Sequence, residues 1–321
     1  MRTCLIALLL MWSAHAHAAD VGRTEQAISL DTGTGKINGS LALPAASGKV
    51  PVVLIIAGSG PTDRDGNSRA LKLNSDSLKL LAEALAKAGL ASVRYDKRGI
   101  AASAAAGPDE AELRFETYVQ DAVAWVRMLK TDDRFSAVAV LGHSEGSLIG
   151  MLATSQAGAR AFVSIAGPAH GASAVLRQQL KGRLNAELAE RSDAILTSLE
   201  QGQTVGAVPA ELKPLYRETV QPYLISWFRY VPEAEFAKLL VPAQIIQGDT
   251  DLQVSTTEAE ALKRAKPDAE LVIVNGMNHA LKLVPRDVAL QLASYGDPSL
   301  PLADELSKAL VRFLSSALIK S

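Results

Sequence analysis

The chain has 321 residues, of which 48% are hydrophobic and 21% charged, and its formal net charge is −1 at pH 7. This composition is typical of a soluble globular protein with a substantial core. Because a nearly neutral chain has no strong field to attract nucleic acid or an anionic membrane, we expect neither as a partner.

The first residues have the pattern of a signal peptide. Arg2 precedes the apolar run 5–12, and the small residues of 14–19 follow it. The apolar run is far shorter than the roughly 20 residues that a membrane-spanning helix needs. We therefore predict that residues 1–19 are a signal peptide, cleaved near Ala18 or Ala19, and that no segment spans a membrane.

Cleavage would remove Cys4, which is the only cysteine. The mature chain, residues 20–321, would then have no disulfide, no cysteine nucleophile and no cysteine-based metal site. We predict no metal ligands. Export without disulfides favours a bacterial periplasmic or secreted protein over a small disulfide-stapled scaffold.

The order of predicted elements indicates one α/β domain. Two short strands, 24–30 and 37–43, flank Gly33-Thr34-Gly35 and predict an N-terminal antiparallel hairpin. Continuous apolar runs, typical of strands buried on both faces, follow at 50–57, 90–95, 137–141, 161–166, 243–247 and 271–274. Helical patterns lie at 77–88, 111–130, 146–156, 256–265 and 302–318. This alternation predicts a mainly parallel, doubly wound sheet.

One long interval, about 171–240, contains no convincing strand, and its residues 174–201 look helical. We interpret this interval as a helical cap inserted over the active site, and call it the cap; the alternative is a purely structural insertion. Trp227, Phe228 and Tyr230 could line a pocket there, although packing is the commoner role of such residues.

The strongest motif follows the strand 137–141. Gly142-His143-Ser144-Glu145-Gly146 is a G-x-S-x-G sequence between a buried strand and a helix, the context in which this motif forms a nucleophile elbow. We predict that Ser144 is the nucleophile. The helix that follows would direct the backbone amide of Glu145 at a developing oxyanion.

The serine needs a base, and only His143, His170 and His279 would remain after signal cleavage. The elbow directs His143 away from the hydroxyl of Ser144, and nothing aims His170 at it. His279 lies on the loop after the strand 271–274, at the edge where α/β sheets place their chemistry. We predict His279 as the base.

A carboxylate should orient this histidine, and the segment after the strand 243–247 offers Asp249 and Asp251. We choose Asp251, because Asp249 is well placed to cap the turn. The order Ser, Asp, His is the order found in α/β-hydrolases.

The loop after the strand 50–57 should supply the second oxyanion donor through its backbone. We choose the amide of Ser59, with Gly60 as the alternative, and Pro61 has no N–H to offer. The charged residues of this loop, Asp63, Arg64 and Asp65, are interpreted as a brace.

Five segments together resemble bacterial α/β-hydrolase-fold esterases: 58–67 (GSGPTDRDGN), 94–99 (RYDKRG), 142–146 (GHSEG), 248–251 (GDTD) and 278–279 (NH). The similarity runs over about 50–318, excluding most of the cap. It implies a carboxylesterase that acts on short acyl chains of small-molecule esters, without a cofactor. One departure is the absence of the second glycine that this group usually has near position 101, which affects the shape of a loop. We interpret Arg94, Asp96 and Arg98 as scaffold.

Other functions stay open at this level. A serine peptidase or amidase, a thioesterase or an acyltransferase would use the same fold and triad. A non-catalytic binding protein would have no reason to keep three triad members in order. The sequence has no pattern that sets an oligomeric state.

Overall fold

The computed structural model describes residues 24–319, so the predicted signal peptide lies outside the described residues. These residues form one eight-stranded sheet. The strands are β1 (Thr24–Asp31), β2 (Lys36–Leu43), β3 (Val50–Ile56), β4 (Ala91–Tyr95), β5 (Phe135–His143), β6 (Ala161–Ile165), β7 (Ala243–Gly248) and β8 (Glu270–Val274).

The order of strands across the sheet is β1-β2-β4-β3-β5-β6-β7-β8. β1 and β2 form the predicted antiparallel hairpin, and β2 continues antiparallel onto β4. The remaining pairs are all parallel. The carboxyl ends of the parallel strands therefore share one edge, where open α/β sheets bind their ligands. The predicted fold class is confirmed.

Helices cover both faces of the sheet. They are α1 (Ser77–Lys87), α2 (Phe115–Thr131), α3 (Glu145–Ala157), α4 (Ala172–Leu180), α5 (Ala186–Glu200), α6 (Lys213–Tyr216), α7 (Gln221–Trp227), α8 (Pro232–Ala237), α9 (Thr256–Ala265), α10 (Val288–Ser294) and α11 (Asp304–Leu318). α1 and α11 share one apolar core with the sheet, whereas α2, α3 and α9 pack in the other. Burial on both faces explains why these strands have continuous apolar runs.

The structure adds two details to the predicted helices. The residues 174–201 that were expected to be helical are divided between α4 and α5, because the chain turns between these helices and Gly182 there adopts a left-handed φ of +73°. α10 was not predicted, since its seven residues are too few to show a helical period. The other predicted elements are present, with ends that differ by a few residues.

The segment that lacks the usual second glycine has a distinctive backbone. Ala101 adopts a φ of +43° at the start of the short 3-10 helix Ala101–Ala106. Arg98 holds the segment in place through two bonds of 2.7 Å to the carboxylate of Asp121 on α2. The loop therefore keeps a left-handed conformation with alanine instead of glycine, at a cost in backbone strain. This contact also agrees with the scaffold role predicted for Arg98.

The cap, residues 171–240, contains α4 to α8 and no strand, and the structure describes all of it. The chain segment that leads into the cap is held by Glu258 of α9, whose carboxylate accepts hydrogen bonds from the backbone amides of Ala169 and His170 at 2.8 and 3.0 Å. Within residues 24–319, no helix is both long enough and apolar enough to cross a membrane.

Candidate active site

Ser144 lies at a sharp turn between β5 and α3. Its φ and ψ are 55° and −123°, a conformation that non-glycine residues rarely adopt and that is typical of strained functional positions. The two flanking glycines make the turn possible. A Cβ on Gly142 would collide with the carbonyl of Gly146, and a Cβ on Gly146 would collide with the carbonyl of Ile56. The sequence motif therefore forms a nucleophile elbow.

His279 and Asp251 meet at the same edge of the sheet. The Nδ1 atom of His279 lies 2.7 Å from the Oδ2 atom of Asp251, and both side chains are buried. The Oδ1 atom of Asp251 accepts the backbone amides of Gln253 and Val254 at 2.7 and 3.0 Å. Burial alone would raise the pKa of Asp251, but His279 and the two amides outweigh it and lower the pKa below its usual value. The carboxylate is thus ionised and oriented at the imidazole.

The neighbouring carboxylate has a different partner. Asp249 accepts the backbone amide of Gly276 at 2.6 Å. Gly276 lies in the loop that carries His279, so Asp249 links the loops after β7 and β8. Within residues 24–319, the carboxylate of Asp249 has no hydrogen bond to the imidazole of His279. Of the two carboxylates that the sequence offered, Asp251 is the one that contacts His279.

The other two histidines have separate roles. The ring of His143 lies 4.8 Å from the ring of His279, and its Nε2 atom is 3.0 Å from the backbone oxygen of His279. Burial, together with the nearby His279, lowers the pKa of His143 to about 3, so the ring is neutral and its Nε2–H donates to that oxygen. His143 thus supports the loop of His279. His170 is exposed and contacts Glu258 instead.

The predicted oxyanion loop lies against the elbow. Ser59 and Gly60 line the same cavity as Ser144 and Glu145. A Cβ on Gly58 would lie only 3.2 Å from the Cβ of Ser144, so glycine at this position permits the close approach of the loop. Glu145 begins α3, where the first backbone amides of a helix have no partner within the helix.

The brace predicted for this loop is confirmed. Arg64 pairs with Asp96 at 2.7 Å, and Arg94 pairs with Asp65 at 2.9 Å. Asp63 accepts the backbone amide of Asp65 at 2.9 Å. These contacts tie the loop after β3 to β4 and its carboxyl end.

A buried polar network beside the elbow was not predicted. The ammonium of Lys97, which is 1% exposed, donates to the carboxylate of Glu145 and to the carbonyl of Gly58, both at 2.7 Å. Tyr223 of the cap donates to the other carboxylate oxygen of Glu145 at 2.5 Å. Burial and the nearby Glu145 raise the pKa of Tyr223 well above its usual value, so the phenol stays protonated.

The cavity above Ser144 has a volume of about 460 Å³. It lies between the sheet edge and the cap, and its cap-side lining is mainly apolar, with Val175, Leu176, Leu215, Val220, Leu224 and Trp227. Trp227 also stacks on Phe115 at 6.0 Å, whereas Phe228 and Tyr230 pack without lining the cavity. The elbow thus opens into a pocket of the size that small organic ligands occupy.

The strand order, the sharp turn at Ser144 and the inserted helices α4 to α8 together define an α/β-hydrolase fold with a helical cap. Residues 73–211 match the family described as serine aminopeptidase S33 (Hydrolase_4), a match that includes Ser144 and ends before Asp251 and His279. The esterase EstD of Thermotoga maritima is 28% identical over 247 residues, which are 76% of this chain and 57% of that esterase. The chain therefore spans little more than half the length of this curated relative.

Solved structures show the same fold. Est1E of Butyrivibrio proteoclasticus with bound ferulic acid superposes with a TM-score of 0.61 at 19% identity, covering 91% of this chain and 100% of that one. The esterase Pf2001 of Pyrococcus furiosus gives a TM-score of 0.57 at 17% identity, covering 92% of this chain and 91% of that one. At these identities the likeness extends to the fold alone.

Proposed function

We propose that this chain is a serine carboxylesterase that hydrolyses short-chain acyl esters. Two observations carry the proposal together: the contact of 2.7 Å between His279 and Asp251, and the strained Ser144 at the wall of an apolar cavity. The match to a serine hydrolase family and to an esterase supports the same reaction class.

In the proposed mechanism, Ser144 attacks the ester carbonyl while His279 accepts its proton. Asp251 holds the imidazole in the correct tautomer and stabilises the imidazolium that forms. The oxyanion accepts hydrogen bonds from the backbone amides of Ser59 and Glu145. His279 then protonates the leaving alcohol, and a water molecule, deprotonated by the same histidine, releases the acyl group.

The alternative is an aminopeptidase, which the family description favours. Such an enzyme must bind the ammonium of a peptide N-terminus, for which an unpaired carboxylate in the cavity is the natural partner. Two carboxylates line the cavity, and both are already paired, Glu145 with Lys97 and Glu110 with Arg217. This pairing favours neutral acyl groups and therefore an ester substrate.

Hydrolysis of p-nitrophenyl butyrate and of alanine p-nitroanilide by the wild type and by Ser144→Ala tests the proposal. We expect turnover of the ester only, and its loss in Ser144→Ala. Preference for the anilide would favour the peptidase, and ester turnover that survives in Ser144→Ala would refute the proposed nucleophile.

We also propose that the protein is exported and loses residues 1–19, because the sequence begins with the pattern of a signal peptide. N-terminal sequencing of protein recovered from the periplasm would test this. A mature chain that still begins at Met1 would contradict it.

A further inference from the structure

Lys97 is a buried cation beside the nucleophile that the proposed mechanism does not use. It follows β4 directly, and its ammonium lies 4.9 Å from the centre of the Tyr118 ring. Desolvating an ammonium is costly unless it is paired and hydrogen-bonded. Its two partners, the carbonyl of Gly58 and the carboxylate of Glu145, belong to the two segments that carry the proposed oxyanion donors.

The first contact acts on the amide of Ser59. The carbonyl of Gly58 and the N–H of Ser59 belong to one peptide unit, and in a planar trans peptide these two bonds point in opposite directions. A cation that binds the carbonyl therefore fixes the plane in which the N–H points away from it. It also polarises the unit, which makes the N–H a stronger donor, because linked hydrogen bonds strengthen one another in a desolvated site.

The second contact acts on the first turn of α3. Glu145 provides the other proposed oxyanion donor through its backbone, and its side chain is held by Lys97 on one oxygen and by Tyr223 on the other. One ammonium thus spans the loop after β3 and the start of α3, and fixes the distance between two amides that must converge on a single oxygen atom.

We propose that Lys97 is a positioning residue of the oxyanion hole, which holds the amides of Ser59 and Glu145 in their catalytic orientation. This inference rests on the proposed serine hydrolase function, and it also selects Ser59 over Gly60 as the donor in the loop. Lys97 borders the cavity but is only 1% exposed, and it acts through the two peptide units.

The test is Lys97→Met, which keeps the apolar stem and removes the ammonium. Loss of one oxyanion donor typically reduces turnover by about 10²–10³-fold. Because Lys97 orients donors that remain present, we expect kcat for p-nitrophenyl butyrate to fall by about 10–100-fold, with KM within about threefold. Binding of a trifluoromethyl ketone, which forms a tetrahedral adduct with the serine, should weaken by the same factor as kcat/KM.

A matched control is available in Lys266. This second buried ammonium also binds one backbone carbonyl, that of Leu239, and one carboxylate, that of Asp268, each at 2.9 Å, but it follows α9 and does not line the cavity. Lys266→Met should lower the melting temperature without changing kcat. Equal losses of kcat in the two lysine variants would reduce the role of Lys97 to general stability and overturn the inference.

A second variant is needed because Lys97→Met leaves the buried carboxylate of Glu145 without its cation. Lys97→Met/Glu145→Gln removes both buried charges and keeps the backbone of residue 145. We expect the loss of kcat to persist in this variant, because the carbonyl of Gly58 still lacks its cation. Recovery of wild-type kcat would show that the single variant fails only through an uncompensated Glu145, and would refute the proposal.

The rate of Ser144 labelling by a fluorophosphonate separates this inference from the proposed function. Phosphonylation uses the same oxyanion hole and does not depend on the choice of ester. If the wild type is labelled but cleaves no ester, the substrate class is wrong, and slower labelling of Lys97→Met still supports the inference. A wild type that is neither labelled nor active overturns both.

Discussion

Asp251→Asn is the substitution whose consequence the geometry fixes most closely. The Oδ1 atom of Asp251 accepts two backbone amides, whereas its Oδ2 atom faces the Nδ1 atom of His279 and the side-chain amide of Gln247. In the variant, the amide oxygen must stay at the Oδ1 position, because both backbone donors point there. The new NH₂ group therefore occupies the Oδ2 position and faces His279.

This orientation reverses the hydrogen bond to the imidazole. An NH₂ group only donates, so the Nδ1 atom of His279 must become an acceptor and the proton must move to Nε2. An Nε2 atom that carries a proton cannot take one from Ser144. Where the same exchange has been made in a Ser-His-Asp triad, kcat falls by about 10⁴-fold, which corresponds to about 5.5 kcal/mol in the activation barrier.

The assay is steady-state hydrolysis of p-nitrophenyl butyrate at pH 7, with Asp249→Asn as the control. Asp249 accepts a single backbone amide, from Gly276, and the oxygen of asparagine can accept it equally well. We expect about 10⁴-fold loss in Asp251→Asn and less than tenfold loss in Asp249→Asn. The reverse ranking, or Asp251→Asn within tenfold of the wild type, would refute the assignment of Asp251.

Three further predictions concern stability and acyl selectivity. Because folding lowers the pKa of His143 to about 3, the imidazole of this residue is protonated more in the unfolded chain than in the folded chain between pH 3 and about 6.5. The free energy of unfolding, measured with urea, should then fall by up to about 1.4 kcal/mol per pH unit as the pH drops through this window. His143→Gln should make this free energy less dependent on pH. An unchanged pH dependence in the variant would contradict the lowered pKa of His143. Ala101→Gly should raise this free energy by up to about 1 kcal/mol at pH 7, since alanine is strained at a φ of +43°, and a clear loss would contradict that strain. In an acyl series, kcat/KM should increase about fourfold per CH₂ from acetate to butyrate, at about 0.8 kcal/mol each, and a flat series would exclude the apolar cavity as the acyl pocket.

The sequence was sufficient for those parts of the fold and site that depend on local pattern. Continuous apolar runs predicted the buried strands, and the glycines around Ser144 predicted the sharp turn, because both signals are created within a few neighbouring residues. His279 could be chosen because so few histidines were available. The choice between Asp249 and Asp251 was made on position in a turn, and the structure adds the contact that distinguishes them.

The polar network around the elbow was not predictable in the same way. Lys97 follows a strand as an ordinary charged residue, and lysine is almost never fully buried. Its partners Gly58 and Glu145 are brought to it only when β3, β4 and β5 align in the sheet, and Tyr223 arrives from the cap. A burial that depends on three distant segments leaves no local signal. The same reason explains why the support that His143 gives to the loop of His279 was missed.

The central claim is that Ser144 is a nucleophile activated by His279 and Asp251. Mass spectrometry of the protein after reaction with a fluorophosphonate tests this claim most directly, because the adduct forms only on an activated serine. We expect one adduct per chain on the peptide that contains Ser144, no adduct in Ser144→Ala, and strongly slowed labelling in His279→Ala. No adduct on the wild type, or an adduct on another residue, would contradict the claim.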